Sequence, residues 1–342
     1  MPVFCYRCPG DNSIIDQYPR YAGKGVRMKK VLVILVVLAL AATNLLANGA
    51  PADGKQDKLV IGVTFMSLRH PFFQEMKVAM EDKAKEIDVV LRLTDGDFDA
   101  GIQSNQVDDF IQQKVDGIII NPTDSKALGP SVRKAIEAGI PVVSVDVAVE
   151  GVDIVTHVAS DNFRGGEIAG GLMIGALQQR GIDMGTVIIV DHAGVSSTQE
   201  RNAGFREVMS KGLPNITIEE FDAVGQRDKG MVVAEDAMQR FGDDLVGIFG
   251  VNDDTSLGAL SAVERADKLD QISIVGYDAG DESRAAIEEG KIVGNTIQFP
   301  SLMGTMAMQN LVDYIKGVRT DFPDFMPVSV GTYTKEGAKV AD

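Results

Sequence analysis

From residue 58 onward, short apolar runs rich in β-branched residues alternate with longer stretches whose apolar positions recur every three to four residues. The runs at 59–64, 89–94, 117–121, 141–146 and 154–160 form one series, and those at 186–190, 216–221, 245–250, 272–277 and 293–298 form a second. Unbroken runs such as Gly117-Ile118-Ile119-Ile120 predict strands buried on both faces. Between the runs, Phe72, Met76, Met80 and Ala84 fall on one helical stripe, and 302–316 predicts a helix stopped by Gly317. Alternation of this kind predicts βαβ units and parallel sheets. Two such series predict an α/β protein with two similar Rossmann-like lobes.

The front of the chain is patterned differently. Met28-Lys29-Lys30 precede an unbroken apolar run over 31–42, and small and polar residues follow as far as Ala52. A basic start, a short apolar core and a small-residue exit predict a secretory signal peptide over 28–52, cleaved after Ala47, Gly49 or Ala52. The run breaks at Thr43-Asn44, short of the roughly 20 apolar residues that a membrane span needs. Residues 1–27 are expected to be an upstream extension from a mis-assigned start, with Met28 the initiator. The Cys5-x-x-Cys8 pair lies in that extension and has no second pair beside it. The exported chain would therefore contain no cysteine and no disulfide.

Charge sharpens the division. The 342 residues carry a formal net charge of −16. Residues 1–52 hold six basic side chains (Arg7, Arg20, Lys24, Arg27, Lys29, Lys30) against Asp11 and Asp16, a net of +4, which leaves −20 on the remainder. So acidic a chain repels phosphate backbones and anionic lipid, which excludes nucleic acid as a partner. A hydrophobic content of 45% with 24% charged residues is that of a folded chain, not a disordered one.

In open α/β sheets, ligands bind beyond the carboxyl ends of the strands. Those ends carry His70, Asn121, Asp146, Asn162, Asn252, Asp278 and Gln298 here. Carboxylates and amides both suit a neutral polyhydroxylated ligand, since Asp accepts from paired hydroxyls while Asn and Gln donate and accept. Phe72 and Phe73 at the first strand's mouth offer rings for apolar sugar faces, although periodicity alone places at least one of them in the core. Asp124, Ser125, Asp161, Asp253 and Asp254 also read as helix caps, and Arg201 by default as a solvated charge. Catalytic patterns are thin. The three histidines, His70, His157 and His192, lack metal spacing, and there is no G-x-S-x-G elbow, phosphate loop or G-x-G-x-x-G. No cofactor, metal or catalytic residue is expected.

Taken in order, the strand-end segments resemble the ribose-binding-protein family, the secreted sugar-binding components of ABC transporters with the type I periplasmic-binding-protein fold. The segments are His70-Pro71-Phe72-Phe73, Ile120-Asn121-Pro122-Thr123-Asp124, Val145-Asp146 and His157-Val158-Ala159-Ser160-Asp161-Asn162. They continue with Arg201-Asn202-Ala203-Gly204-Phe205, Asn252-Asp253, Gly258-Ala259, Val275-Gly276-Tyr277-Asp278 and Thr296-Ile297-Gln298, and the resemblance spans about 59–330. It implies two lobes joined by a three-crossing hinge: 57–160 plus 299–325, and 161–298 plus 326–342, with crossings near 160–162, 298–300 and 325–328. It implies Phe72 and Phe73 as stacking rings, with Asp146, Arg201, Asn252, Asp278 and Gln298 as hydroxyl partners and His70 and Asn162 beside them. It also implies a monomer in the periplasm that binds a sugar or polyol and hands it to an ABC permease, with a chemoreceptor as the further partner open to the same shape.

Three departures bear on the ligand. The family's ribose binders have Asn where His70 stands, Arg where Val147 stands, and an aromatic ring near Gly225, for which Phe221 is a candidate substitute. Ribose itself is therefore not the expected ligand; another pentose, a hexose, a sugar alcohol or a sugar-derived signal remains open. Two other readings stand beside this one. Repressors share the core but carry an N-terminal DNA-binding domain, where this chain has its signal segment. A secreted sugar-processing enzyme would use Asp146 and Asp278 as paired carboxylates.

Overall fold

The computed structural model describes residues 58–340; the expected signal segment, the expected upstream extension and the Cys5–Cys8 pair lie outside them. No helix among the described residues is long and apolar enough to cross a membrane. The first series of runs gives β1 (Val60–Phe65), β2 (Val90–Asp95), β3 (Gly117–Ile120), β4 (Val142–Val145) and β5 (Thr156–Ser160). The second gives β6 (Gly185–Asp191), β7 (Ile216–Asp222), β8 (Leu245–Gly250), β9 (Ser273–Asp278) and β10 (Gly294–Ile297). Three further strands close the chain: β11 (Phe325–Val328), β12 (Gly331–Thr334) and β13 (Gly337–Val340). The helices between them are α1 (Pro71–Glu86), α2 (Ala100–Gln112), α3 (Gly129–Glu137), α4 (Asn162–Gln179) and α5 (Ser196–Gly212). The rest are α6 (Arg227–Phe241), α7 (Asp253–Arg265), α8 (Asp281–Glu288) and α9 (Pro300–Ile315).

One sheet has the order β11-β5-β4-β3-β1-β2, the other β13-β12-β10-β9-β8-β6-β7. The first is parallel throughout. The second is parallel except where β12 and β13 pair antiparallel at its edge. Apart from the three last strands, the two orders are one plan repeated, so the end of β4 in one lobe corresponds to the end of β9 in the other. Ile118, Ile119 and Ile120 are wholly buried, as helices on both sheet faces require. Each such side chain stabilises the fold by about 1.5–3 kcal/mol. On α1, Phe72, Phe73, Met76, Met80 and Ala84 form the buried stripe, which packs with Met303, Ala307 and Met308 of α9.

The chain passes between the lobes after β5, after β10 and after β11. The hinge is cross-linked where the Asp161 N–H donates to the Val328 carbonyl at 2.9 Å. One expected boundary moves. The division at 325/326 falls inside β11, whose register pairs Phe325 with His157 and Val328 with Ser160, so all four residues belong to the first sheet. The third crossing therefore lies after Val328, and only the residues from β12 onward return to the second sheet.

Candidate functional site

The carboxyl ends of both sheets face one another across a cleft, which holds a cavity with about 450 Å3 of empty space, its open mouth included. The first lobe lines it with Met66, His70, Phe72, Phe73, Phe98 and Asp146, and with Val147 beside them. The second contributes His192, Val195, Ser197, Thr198 and Arg201, with Gly225, Asn252, Asp278 and Gln298. Of the nine residues singled out in the sequence, eight thus converge on one cavity. Asn162 does not line it.

Asn162 acts through its neighbour. The Arg201 Nε–H donates to Asn162 Oδ1 at 2.9 Å and Nη1 donates to the Val251 carbonyl at 2.7 Å. The guanidinium also lies 3.9 Å from the centre of the Tyr277 ring, a cation–π contact. Arg201 is only 4% exposed, so it is not the solvated charge its helix position suggests. Its burial follows from the close approach of α4 to α5: a side chain at Gly166 would collide with the Arg201 carbonyl, and one at Gly204 with that of Phe163.

The two cleft carboxylates are held in mirrored ways. Asp146, at φ 65°, accepts from Asn121 Nδ2 at 3.1 Å. Asp278, at φ 84°, accepts from Gln298 Nε2 at 2.6 Å and from the Asp253 N–H at 3.2 Å. Left-handed backbone at both strand ends is strained, and such strain concentrates at ligand clamps. Asp278 is not the cap of the helix that follows, since Gly280 occupies that place. Asn252, by contrast, is largely spent on structure. Its Oδ1 accepts from the Thr255 N–H at 2.9 Å in a capping box, and its Nδ2 donates to the Gly225 carbonyl at 3.0 Å.

Several polar atoms are left facing the cavity. His70 Nδ1 accepts from the Phe72 N–H at 3.2 Å, which puts the proton of the neutral ring on Nε2. That Nε2 is buried without a partner, as is Gln298 Oε1. Asp146 and Arg201, both also buried, line the same cavity. Buried polar groups of this kind normally find partners.

Burial drives Asp146 up from 3.8 to about 7, with Arg201 opposing the shift and the Asp278 charge adding to it. Burial also lowers His192 to about 4, so its ring is neutral at pH 7. Between about pH 4 and 7 the unfolded chain ionises Asp146 while the folded chain keeps it protonated, so this residue's effect on stability worsens as pH rises. Asp146→Asn removes that slope. Denaturation at pH 4 and pH 7 should show the variant gaining on wild type at the higher pH; an unchanged difference would contradict a dry Asp146.

Beside Gly225 the ring that lines the cavity is that of His192, not Phe221. A Cβ on Gly225 would stand 3.0 Å from His192 Nδ1 and 3.2 Å from Asn252 Nδ2, so glycine makes room for them at φ 65°. Phe221 instead packs against Phe241 and Arg240. Sequence reading overlooked Phe98 and His192, although each follows a strand, β2 and β6, and inspecting every strand end would have found them. Met66 directly follows β1 in the same way, whereas Val195, Ser197 and Thr198 carried no such signal.

The lobes meet directly beside the cavity. The Ser196 N–H donates to Ser125 Oγ at 3.0 Å, the Ala148 N–H to Ser196 Oγ at 3.0 Å, and the Ser125 N–H to the Gly194 carbonyl at 3.1 Å. His70 Nε2 stands 3.8 Å from Asp278 and 3.9 Å from Asp254 across the cleft. This is a closed arrangement.

Comparison with known proteins agrees with the architecture. Residues 61–318 match the family described as periplasmic binding protein domain. The ribose import binding protein of Bacillus subtilis is 30% identical over 311 residues, covering 89% of this chain and 99% of that protein. The xylitol-binding protein of Mycolicibacterium smegmatis is 30% identical over 312 residues, covering 89% and 86%. The myo-inositol binding protein of Caulobacter, solved with myo-inositol, superposes with a TM-score of 0.74 at 28% identity, over 81% of this chain and 94% of that one. The chain belongs to the periplasmic binding protein family, as a ribose-binding-like, type I solute-binding protein of ABC transporters.

Proposed function

We propose that the protein captures a neutral monosaccharide or polyol between its lobes and presents the closed form to an ABC importer. The carrying observation is that buried polar groups from both lobes converge on one cavity beside aromatic rings: Asp146 and the unpartnered His70 Nε2 from the first, Arg201 and the unpartnered Gln298 Oε1 from the second. The relatives named above, by their names, bind ribose, xylitol and myo-inositol, a shared polyhydroxyl chemistry. In this reading Phe72, Phe73 and His192 cover C–H faces. Asp146, Arg201, Asp278 and Gln298 take hydroxyls, with His70 donating and Asn252 in a lesser part. Asn162 serves by positioning Arg201. Hydrogen bonds from both lobes form together only in the closed state, so ligand shifts the population toward it.

Calorimetry and thermal melts with pentoses, hexoses and polyols test the proposal. Ligand at 100 times Kd should add about 2.7 kcal/mol of stability. With Val147 in place of a fork donor, ribose is expected not to be the tightest ligand, and submicromolar ribose binding above all others would refute that. The ligand should be recovered chemically unchanged; product formation would favour the sugar-processing enzyme instead. The protein is proposed to act as a monomer, and a chemoreceptor could read the same closed shape. Export is proposed to proceed by cleavage between Ala42 and Ala52, with Met28 the initiator. Amino-terminal sequencing of the exported protein checks it, and a retained 31–42 segment would refute it.

A further inference from the structure

The cavity is unequally equipped, and the imbalance lies along one edge. Val147 and Val195, 1% and 2% exposed, come from opposite lobes and line the cavity together. Both belong to the apolar cluster that holds Met66 and Phe73, into which Val195 reaches across the cleft. The backbone N–H groups beside them have nothing to offer a ligand. The Val147 N–H donates to the Val145 carbonyl at 2.7 Å and the Val195 N–H to the His192 carbonyl at 3.3 Å. The Ala148 and Ser196 N–H groups are taken by the two serine hydroxyls that clasp the lobes. Thr198 spends its hydroxyl on the carbonyls of His192 and Val195 at 2.6 and 3.1 Å, and Ser197 lines the cavity beside it. Asp146, which precedes Val147 in the chain, lines the same cavity with Asp278, Arg201 and the unpartnered atoms of His70 and Gln298, and these are left for the ligand's hydroxyls.

We propose that Val147 and Val195 determine specificity by seating an edge of the ligand that carries no hydroxyl, so that the preferred ligand is a deoxy sugar or deoxy polyol. The proposal rests on the carbohydrate reading above and narrows it. A hydroxyl pressed between two valines gives up its water and gains no partner, while a methyl or methylene there gains apolar contact. Discrimination of about ten- to a hundredfold follows for one hydroxyl in such a place.

Calorimetry on the purified protein with matched pairs tests this: L-fucose against L-galactose, L-rhamnose against L-mannose, and 2-deoxy-D-ribose against D-ribose. In at least one pair the deoxy member should bind about ten- to a hundredfold more tightly than its parent. Val147→Thr, which places a hydroxyl at the same edge, should narrow that gap to within about threefold, chiefly by tightening the parent. Val195→Thr provides the same reading should the first variant fail to fold, as judged by thermal melting. If every pair favours the parent sugar, or the threonine variants leave the gap unchanged, the specificity proposal falls while the carbohydrate reading stands. If no sugar or polyol binds at millimolar concentration, the carbohydrate reading falls and takes this proposal with it.

Discussion

Truncation of Arg201 to Ala is expected to lower the folding free energy by about 3–5 kcal/mol and to abolish measurable carbohydrate binding. Removing a buried donor leaves each acceptor that it served unsatisfied, at about 1–3 kcal/mol apiece. Here Asn162 Oδ1 and the Val251 carbonyl would each lose a donor, the Tyr277 ring its cation, and Asp146 its opposing charge. Arg201→Lys should rescue little, since an ammonium cannot reproduce a planar fork that bonds in two directions while stacked on a ring. Urea denaturation reads the first effect and calorimetry the second. A variant within about 1 kcal/mol of wild type that binds normally would return Arg201 to the status of an ordinary surface charge.

Asp278→Asn should stay folded yet bind ligand about ten- to more than a hundredfold more weakly, because hydrogen bonds to charged groups are worth roughly 1.5–3 kcal/mol. Asparagine is the right probe, since it tolerates the φ of 84° at this position, where alanine would add strain. The competing account gives Asp278 a structural task alone, securing the start of α7 through the Asp253 N–H and orienting Gln298. In that case the substitution would lower the melting temperature and leave affinity within about twofold.

Legibility in the sequence followed burial. Strands such as β3 announce themselves because a strand covered on both faces must be apolar throughout, and Ile118–Ile120 is. The last three strands did not, because β11 to β13 are four residues each and largely solvent-facing, and β11 carries Pro327. Their pairing is decided by which edge the hinge delivers them to, a tertiary fact that no local pattern encodes. In the site, Asp146 and Asp278 were visible as short polar residues ending apolar runs. Asn252 carried the same signature, yet its amide is mostly committed to a helix cap, and one residue type serves both purposes. Arg201 could be reached only through the resemblance, since its burial is made by glycines on α4 and α5 that let two helix backbones approach. His192 was legible in position but not in role, because the glycine that makes room for its ring lies 33 residues further on, at Gly225.

The central claim is that the cavity between the lobes is a carbohydrate site served by both of them. A crystal structure of the protein grown with its tightest-binding sugar or polyol tests that most directly. The ligand should lie between the lobes, with its oxygens within hydrogen-bond distance of Asp146 in the first lobe and of Arg201, Asp278 and Gln298 in the second, and with a C–H face against Phe72 or Phe73. A ligand bound elsewhere, or one held by a single lobe with Arg201 and Asp278 untouched, would contradict it.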